Sequence, residues 1–119
     1  MATTDELREA MRDYVTRAND NARVRTSLRS WSAVIHVFAT DLDGAFTITV
    51  REGAFAGMHD GADGDADLIV RGGSEDLCDI FWGDANPVSN YMQGAITTQG
   101  RAEDVMRLDA MAMFVFLGQ

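Results

Sequence analysis

A chain of 119 residues can hold one hydrophobic core and bury roughly two-thirds of its unfolded surface, which leaves no room for a second folded domain. Apolar residues at 46% exclude a disordered chain, no apolar run reaches the roughly 20 residues of a spanning helix, and the opening MATTDELREA lacks a secretory pattern. A single cysteine, Cys78, allows no intrachain disulfide and suits a reducing cytoplasm, while a net charge of −9 argues against nucleic acid as a partner.

Thr3-Thr4-Asp5-Glu6 has the spacing of a capping box, and Leu7, Met11, Tyr14, Val15 and Ala18 recur behind it at helical intervals. Asn19-Asp20-Asn21 interrupts the pattern. Asp20 is placed to cap a second helix carrying Val24, Leu28 and Trp31 on one face. Through Trp31 six arginines face five acids, so the remaining four arginines face fourteen. Only this N-terminal segment could approach an anionic membrane, and then transiently; the arginines read first as a solvated face.

From Ser32 the period changes to two. SAVIHVFAT, the turn Asp41-Leu42-Asp43-Gly44 and the alternation of Phe46, Ile48 and Val50 with Thr47, Thr49 and Arg51 predict a β-hairpin. A loop of even length places Ile35 and Val37 on one face with Ile48 and Val50, and leaves His36 on the polar face with Thr49 and Arg51 and Phe38 outside. Ala54 to His59 reads as a third strand at an edge, weakened by Gly57. In the acidic loop that follows, Asp63, Asp65 and Asp67 alternate as in the first half of a calcium loop. Leu68 and Ser74 stand where such a loop needs glycine and glutamate, so no metal site is assigned.

Ala66 to Arg71 is a short strand with Leu68 and Val70 on one side. Ser74 stands as cap of a helix whose buried stripe is Leu77, Ile80 and Phe81, Gly83 stops it, and Asn86-Pro87 opens another helix with Val88, Tyr91 and Met92 inward. Ala95 to Gln99 returns to the sheet between Gly94 and Gly100, and a last helix starts near Arg101. After Asp109 that helix has almost no polar face, which is met by a core, by a lid over an apolar ligand, or by a subunit interface.

The residues that usually carry catalysis are dispersed. His36 falls on a strand's polar face, His59 at a strand end, and Cys78 in a helix stripe, with no triad, phosphate loop or GxSxG around them. A small cone-shaped α+β enzyme of the ketosteroid isomerase type would need a general-base carboxylate in its pocket, and the strand order fits it poorly. The expectation is a chain that is not an enzyme.

Ala66-Asp67-Leu68, the Asp76-Leu77 helix, Gly83, Asn86-Pro87, Tyr91-Met92, Gly94 and Gly100 follow one another in an order that resembles the sterol carrier protein 2 (SCP2) family of lipid-binding domains. The resemblance covers most of the chain from Trp31 onward. It implies an α+β fold with a single five-stranded mixed sheet and helices packed mainly on one face, residues 1–30 forming the N-terminal helices, 31–100 the sheet with inserted helices and 101–119 the last helix. It also implies an apolar tunnel for a sterol, fatty acid or fatty acyl thioester, no catalytic residues and no cofactor. One departure is that Ala95 to Gln99 lacks the basic residues that relatives often carry there, which weakens any membrane contact.

Periodicity and resemblance together nominate Ile35, Val37, Ile48 and Val50 on the sheet, Phe81, Met92 and Ile96 around the middle helices, and Leu108, Met111, Met113 and Phe114 on the last helix as ligand-binding residues. Trp82 is placed at the rim. The expected hollow lies in the roughly 300–1,000 Å³ range of ligand pockets. The competing expectation is a homodimer built on the apolar last helix.

Overall fold

In the computed structural model, which describes residues 2–62, 64–87 and 94–118, the chain opens on α1 (Thr4–Asp20) and α2 (Ala22–Ser27). The capping box is formed: the Thr3 hydroxyl accepts from the Glu6 N–H at 3.1 Å, and the Glu6 carboxylate accepts from the Thr3 N–H at 3.3 Å. Leu7, Ala10, Met11, Tyr14 and Ala18 make the buried stripe of α1. The second cap falls one residue later than expected. Asp20 ends α1, and Asn21 caps α2 by accepting from the Val24 N–H at 3.0 Å while its Nδ2 donates to the Phe114 carbonyl, a pair of roles that an amide can fill and a carboxylate cannot.

Strands β1 (Ala33–Ala39), β2 (Gly44–Arg51), β3 (Ala54–Asp60), β4 (Leu68–Gly72) and β5 (Ile96–Gly100) form one mixed sheet in the order β3-β2-β1-β4-β5. The β1–β4 pair is parallel and the other pairs are antiparallel. Ala39 pairs with Gly44, so the hairpin loop has even length, and Ile35, Val37, Ile48 and Val50 share a face as that length requires. Pairing of Ile35 with Leu68, Val37 with Val70 and Gly72 with Ile96 carries the same face across to β5. β3 is at an edge as expected, and α1 covers part of that edge. Asn19 donates to the Phe55 carbonyl at 3.2 Å and accepts from the Phe55 N–H at 2.8 Å, standing in for a missing strand.

β3 and β4 both run parallel to β1, so the chain between them must return from one end of the sheet to the other. It does so over the face turned away from Ile35: the Thr47 hydroxyl donates to the Gly61 carbonyl at 2.7 Å, and Asp67 pairs with Val34 through its N–H and its carboxylate, each at 2.8 Å. The acidic loop therefore has a structural task in Asp67. It also corrects the reading of His36, which pairs with Thr47 on the outer face but is only 5% exposed and leaves Nε2 without a partner. Phe38 is half-buried on that face between the His36 ring and the Arg71 guanidinium.

Helix α3 (Ser74–Trp82) starts differently from expectation. Gly73 occupies the cap position, and Ser74 is the first helical residue, fully buried. The cap comes from elsewhere in the chain: the Asp41 carboxylate, in the β1–β2 turn, accepts from the Ser74 N–H at 2.7 Å and its hydroxyl at 2.8 Å, where the helix dipole favours an anion. Gly83 closes α3 in the left-handed conformation, and its N–H bonds back to the helix as expected. The helix assigned after Asn86-Pro87, with Val88, Tyr91 and Met92, lies outside the described residues. Gly100 ends β5 where a Cβ would stand 2.5 Å from the Asp67 carbonyl oxygen, so only glycine fits.

The last helix, α4 (Ala102–Leu117), buries Asp104, Met111, Ala112 and Val115. Asp104 accepts from the Trp31 indole N–H at 3.1 Å, and both side chains are buried. Leu108, Met113 and Phe114 are half-buried, whereas Met106 and Leu117 are 69% and 51% exposed. Tyr14 of α1, Leu77 of α3 and Leu108 of α4 border the same apolar space as Ile35 and Ile48, which places these helices on one face of the sheet.

Candidate functional site

Between that sheet face and the helices lies an apolar crevice. Ile35, Val37, Ile48 and Val70 form its floor, and Phe55 and Ile96 come from the two edge strands. Tyr14, Leu77, Ile80 and Phe81 wall it from α1 and α3; Pro87, Leu108 and Ala112 close the remaining side. The aromatic rings interlock, with Tyr14 edge-on to Phe81 at 5.2 Å between centroids and 6.0 Å from Phe55. Among the described residues, Tyr14 is the one lining residue with a polar side-chain group.

The crevice holds a cavity of about 50 Å³, enough for a few waters. The expected ligand-sized hollow is thus narrowed to a crevice. The reason is visible in the lining: branched and aromatic side chains from the sheet and from three helical segments reach into one small volume and leave little space between them.

Of the residues nominated from the sequence, Ile35, Val37, Ile48, Phe81, Ile96 and Leu108 line the crevice. Val50 shares the sheet face but is buried in the core beyond it, and Met111 is fully buried against the core. Phe114 is half-buried under the Arg23 guanidinium, 5.7 Å from its ring centre, and Met113 is half-buried on α4; neither lines the crevice. Trp82 is 41% exposed and faces a separate surface hollow with Ala2, Glu6, Glu75, Cys78 and Asp79, not the crevice rim. Met92 lies outside the described residues.

The reading missed Tyr14, Phe55, Val70, Leu77, Ile80, Pro87 and Ala112. The period places Tyr14, Val70, Leu77 and Ile80 on inward stripes and so gives their direction. What it lacks is depth, since a stripe does not distinguish a side chain that ends at a gap from one that ends on a neighbour.

None of His36, His59 or Cys78 lines the crevice. Burial pushes the Cys78 thiol pKa up, and the carboxylates of Glu6 and Asp79 add to the effect, which disfavours the thiolate form. Arg17, a cation beside the lining, has its guanidinium carbon 6.0 Å from the Tyr14 ring centre; it pairs with Asp13 at 2.7 Å and donates to the Phe81 carbonyl.

Comparison with known proteins agrees with this architecture. No curated protein sequence matches the chain significantly. Among solved structures, a sterol carrier protein 2 superposes with a TM-score of 0.69 at 15% identity, covering 92% of each chain. The sterol carrier protein domain 2 of Helicoverpa armigera gives 0.70 at 18% identity, over 92% of this chain and 86% of that one. A palmitated SCP2L2 from Aedes aegypti gives 0.66 at 16% identity, over 93% and 95%. At these identities the likeness is one of fold. The profile of the SCP-2 sterol transfer family matches residues 13–113, nearly the whole sheet-and-helix body, and the chain belongs to that family.

Proposed function

We propose that this protein, acting as one domain, binds a lipid-like apolar molecule between its sheet and helices without transforming it, and so holds, transfers or presents that molecule in the cytoplasm. The observation that carries the reading is the crevice itself, a convergence of apolar side chains from all five strands and three helical segments that does not close into solid packing. The driving force is partition, at roughly 25 cal/mol per Å² of apolar surface removed from water. Membership of a sterol transfer family and the palmitate named for one structural neighbour support a sterol, fatty acid or fatty acyl thioester as occupant. The absence of histidine, cysteine and carboxylate from the described lining supports binding over catalysis.

Native mass spectrometry of freshly purified protein tests this. The expected result is a non-covalent adduct with the mass of a lipid, or one formed on adding cholesterol, palmitate or a palmitoyl thioester; no adduct under any of these conditions refutes the reading. A second reading, self-association through α4, rests on the exposure of Met106 and Leu117. A homogeneous apo dimer in the same spectrum would favour it.

A further inference from the structure

Resting on the binding role proposed above, the way α3 is tied down points to a further role for Arg17. We propose that Arg17 is a strap across the seam between α1 and α3, which holds the Tyr14–Phe81 wall of the crevice shut and sets how fast an apolar ligand enters and leaves.

The two ends of α3 are held differently. At the first, Ser74 is fully buried and gives both its N–H and its hydroxyl to the Asp41 carboxylate, at 2.7 and 2.8 Å, while its oxygen accepts from the Ala2 N–H at 3.1 Å. At the last turn the helix has carbonyls without helical donors. The left-handed turn at Gly83 returns N–H groups to the carbonyls of Asp79 and Ile80 and passes over that of Phe81. The Arg17 guanidinium of α1 donates to it instead. A Cβ on Gly83 would stand 3.2 Å from Arg17 Nη1, so the guanidinium lies directly against this turn.

The strap joins the two residues that make the aromatic wall. Arg17 is braced on its own helix by Asp13 at 2.7 Å, and its guanidinium carbon lies 6.0 Å from the Tyr14 ring centre. Tyr14 and Phe81 meet edge-on and both line the crevice. α1 stays with the sheet, because Asn19, two residues beyond Arg17, bonds both backbone groups of Phe55. The motion left is a swing of the Phe81 end of α3 about its Asp41-capped start. On the solvent side of the seam a surface hollow separates Ala2 and Glu6 from Cys78, Asp79 and Trp82, which gives that swing room. The Arg17 side chain is 33% exposed, so water can take over both partners when they part.

Stopped-flow fluorescence of the intact protein with cis-parinaric acid, a polyene fatty acid that brightens in apolar surroundings, tests the inference. Arg17→Met keeps the apolar stem and removes the donors. It is expected to raise the association and dissociation rates together by about tenfold, the low end for a hydrogen bond from a charged group, and to leave Kd nearly unchanged. Arg17→Lys, which keeps a charge and a donor, is expected to stay close to the unsubstituted protein. Unchanged rates in Arg17→Met, or a faster dissociation alone with Kd weakened in proportion, would overturn the strap and leave the binding role standing. Should Arg17→Met fail to fold, Asp13→Asn removes only the brace and is expected to raise both rates by about threefold; unchanged rates there would equally overturn it. No uptake of cis-parinaric acid by the unsubstituted protein would overturn the binding role and the strap with it.

Discussion

Val70→Ile adds a single methylene to the floor of the crevice and separates open space from filled core. Val70 is 7% exposed, lies on β4 between β1 and β5, and points into the gap. At about 24 cal/mol per Å³, a void of about 50 Å³ costs roughly 1 kcal/mol as it stands. A newly buried methylene contributes about 0.8 kcal/mol, and isoleucine keeps the branching that suits a strand. Because the added carbon enters existing space, the overpacking strain of about 1–3 kcal/mol that an enlarged core residue normally meets should not appear. The expected outcome is a gain of about 1 kcal/mol in unfolding free energy, or roughly 3–5 °C in Tm for a domain of this length, measured on ligand-free protein by calorimetry and urea titration. The same variant should weaken an apolar ligand several-fold. A loss of 1 kcal/mol or more on the scale of overpacking strain would show that the wall is already full, and the reasoning would fail. A gain in stability with ligand affinity unchanged would place the ligand elsewhere.

Asp41 supplies a pH test. The Ser74 hydroxyl and N–H hold its carboxyl below the usual carboxylate range, so as the pH falls the unfolded chain takes up the proton first. Its contribution is therefore complete above the ordinary carboxylate pKa and lost as the pH drops through the depressed one. Asp41→Asn should lower Tm near neutrality and flatten the acid limb of Tm against pH; an acid limb of unchanged steepness would contradict the cap. Trp31→Phe leaves the buried Asp104 oxygen without its indole donor and should cost about 1–3 kcal/mol in urea unfolding, with the double variant carrying Asp104→Ala losing less than the sum of the two single changes. Strict additivity would mean that the contact carries no energy. Cys78 should react with iodoacetamide more slowly in the native protein than in urea, because burial leaves little of the side chain exposed and disfavours the thiolate. Comparable rates would put α3 in the wrong place.

The sheet was legible because its period is short and its turns are chemical. Alternation from Ile35 to Val50 defined a face, the even hairpin loop defined the register, and Gly83 and the Thr3–Glu6 box marked helix ends by local bonding that needs no distant partner. The errors fall where the partner is distant. Ser74 has the chemistry of a cap, yet Asp41, thirty-three positions away, does the capping and Ser74 is drawn inside. His36 alternates as a polar surface residue, yet the return from β3 to β4 covers it, and no local period encodes a crossover. In the crevice the inward direction of Leu77 and Ile80 was readable, while Met111 and Val50 pointed inward too and end on neighbours instead of at the gap.

A lipid larger than the resting crevice has to displace one of its walls, and the ties around it decide which. The floor cannot spread, because Ile35, Val37, Ile48 and Val70 sit on strands joined by continuous backbone hydrogen bonds whose loss would leave buried polar groups unpaired. α1 is fastened to β3 at two points, by the paired contacts of Arg8 with Asp60 at 3.0 and 2.6 Å and by those of Asn19 with Phe55. α4 is fastened near its ends, by Trp31 to Asp104 in the first turn and by Asn21 to the Phe114 carbonyl in the last. Between these points it meets the crevice through Leu108 and Ala112, whose contacts are apolar and without direction, so they can slide at little cost. A ligand that opened this wall would therefore be expected to leave the buried Trp31–Asp104 contact and the part-buried Asn21–Phe114 contact in place.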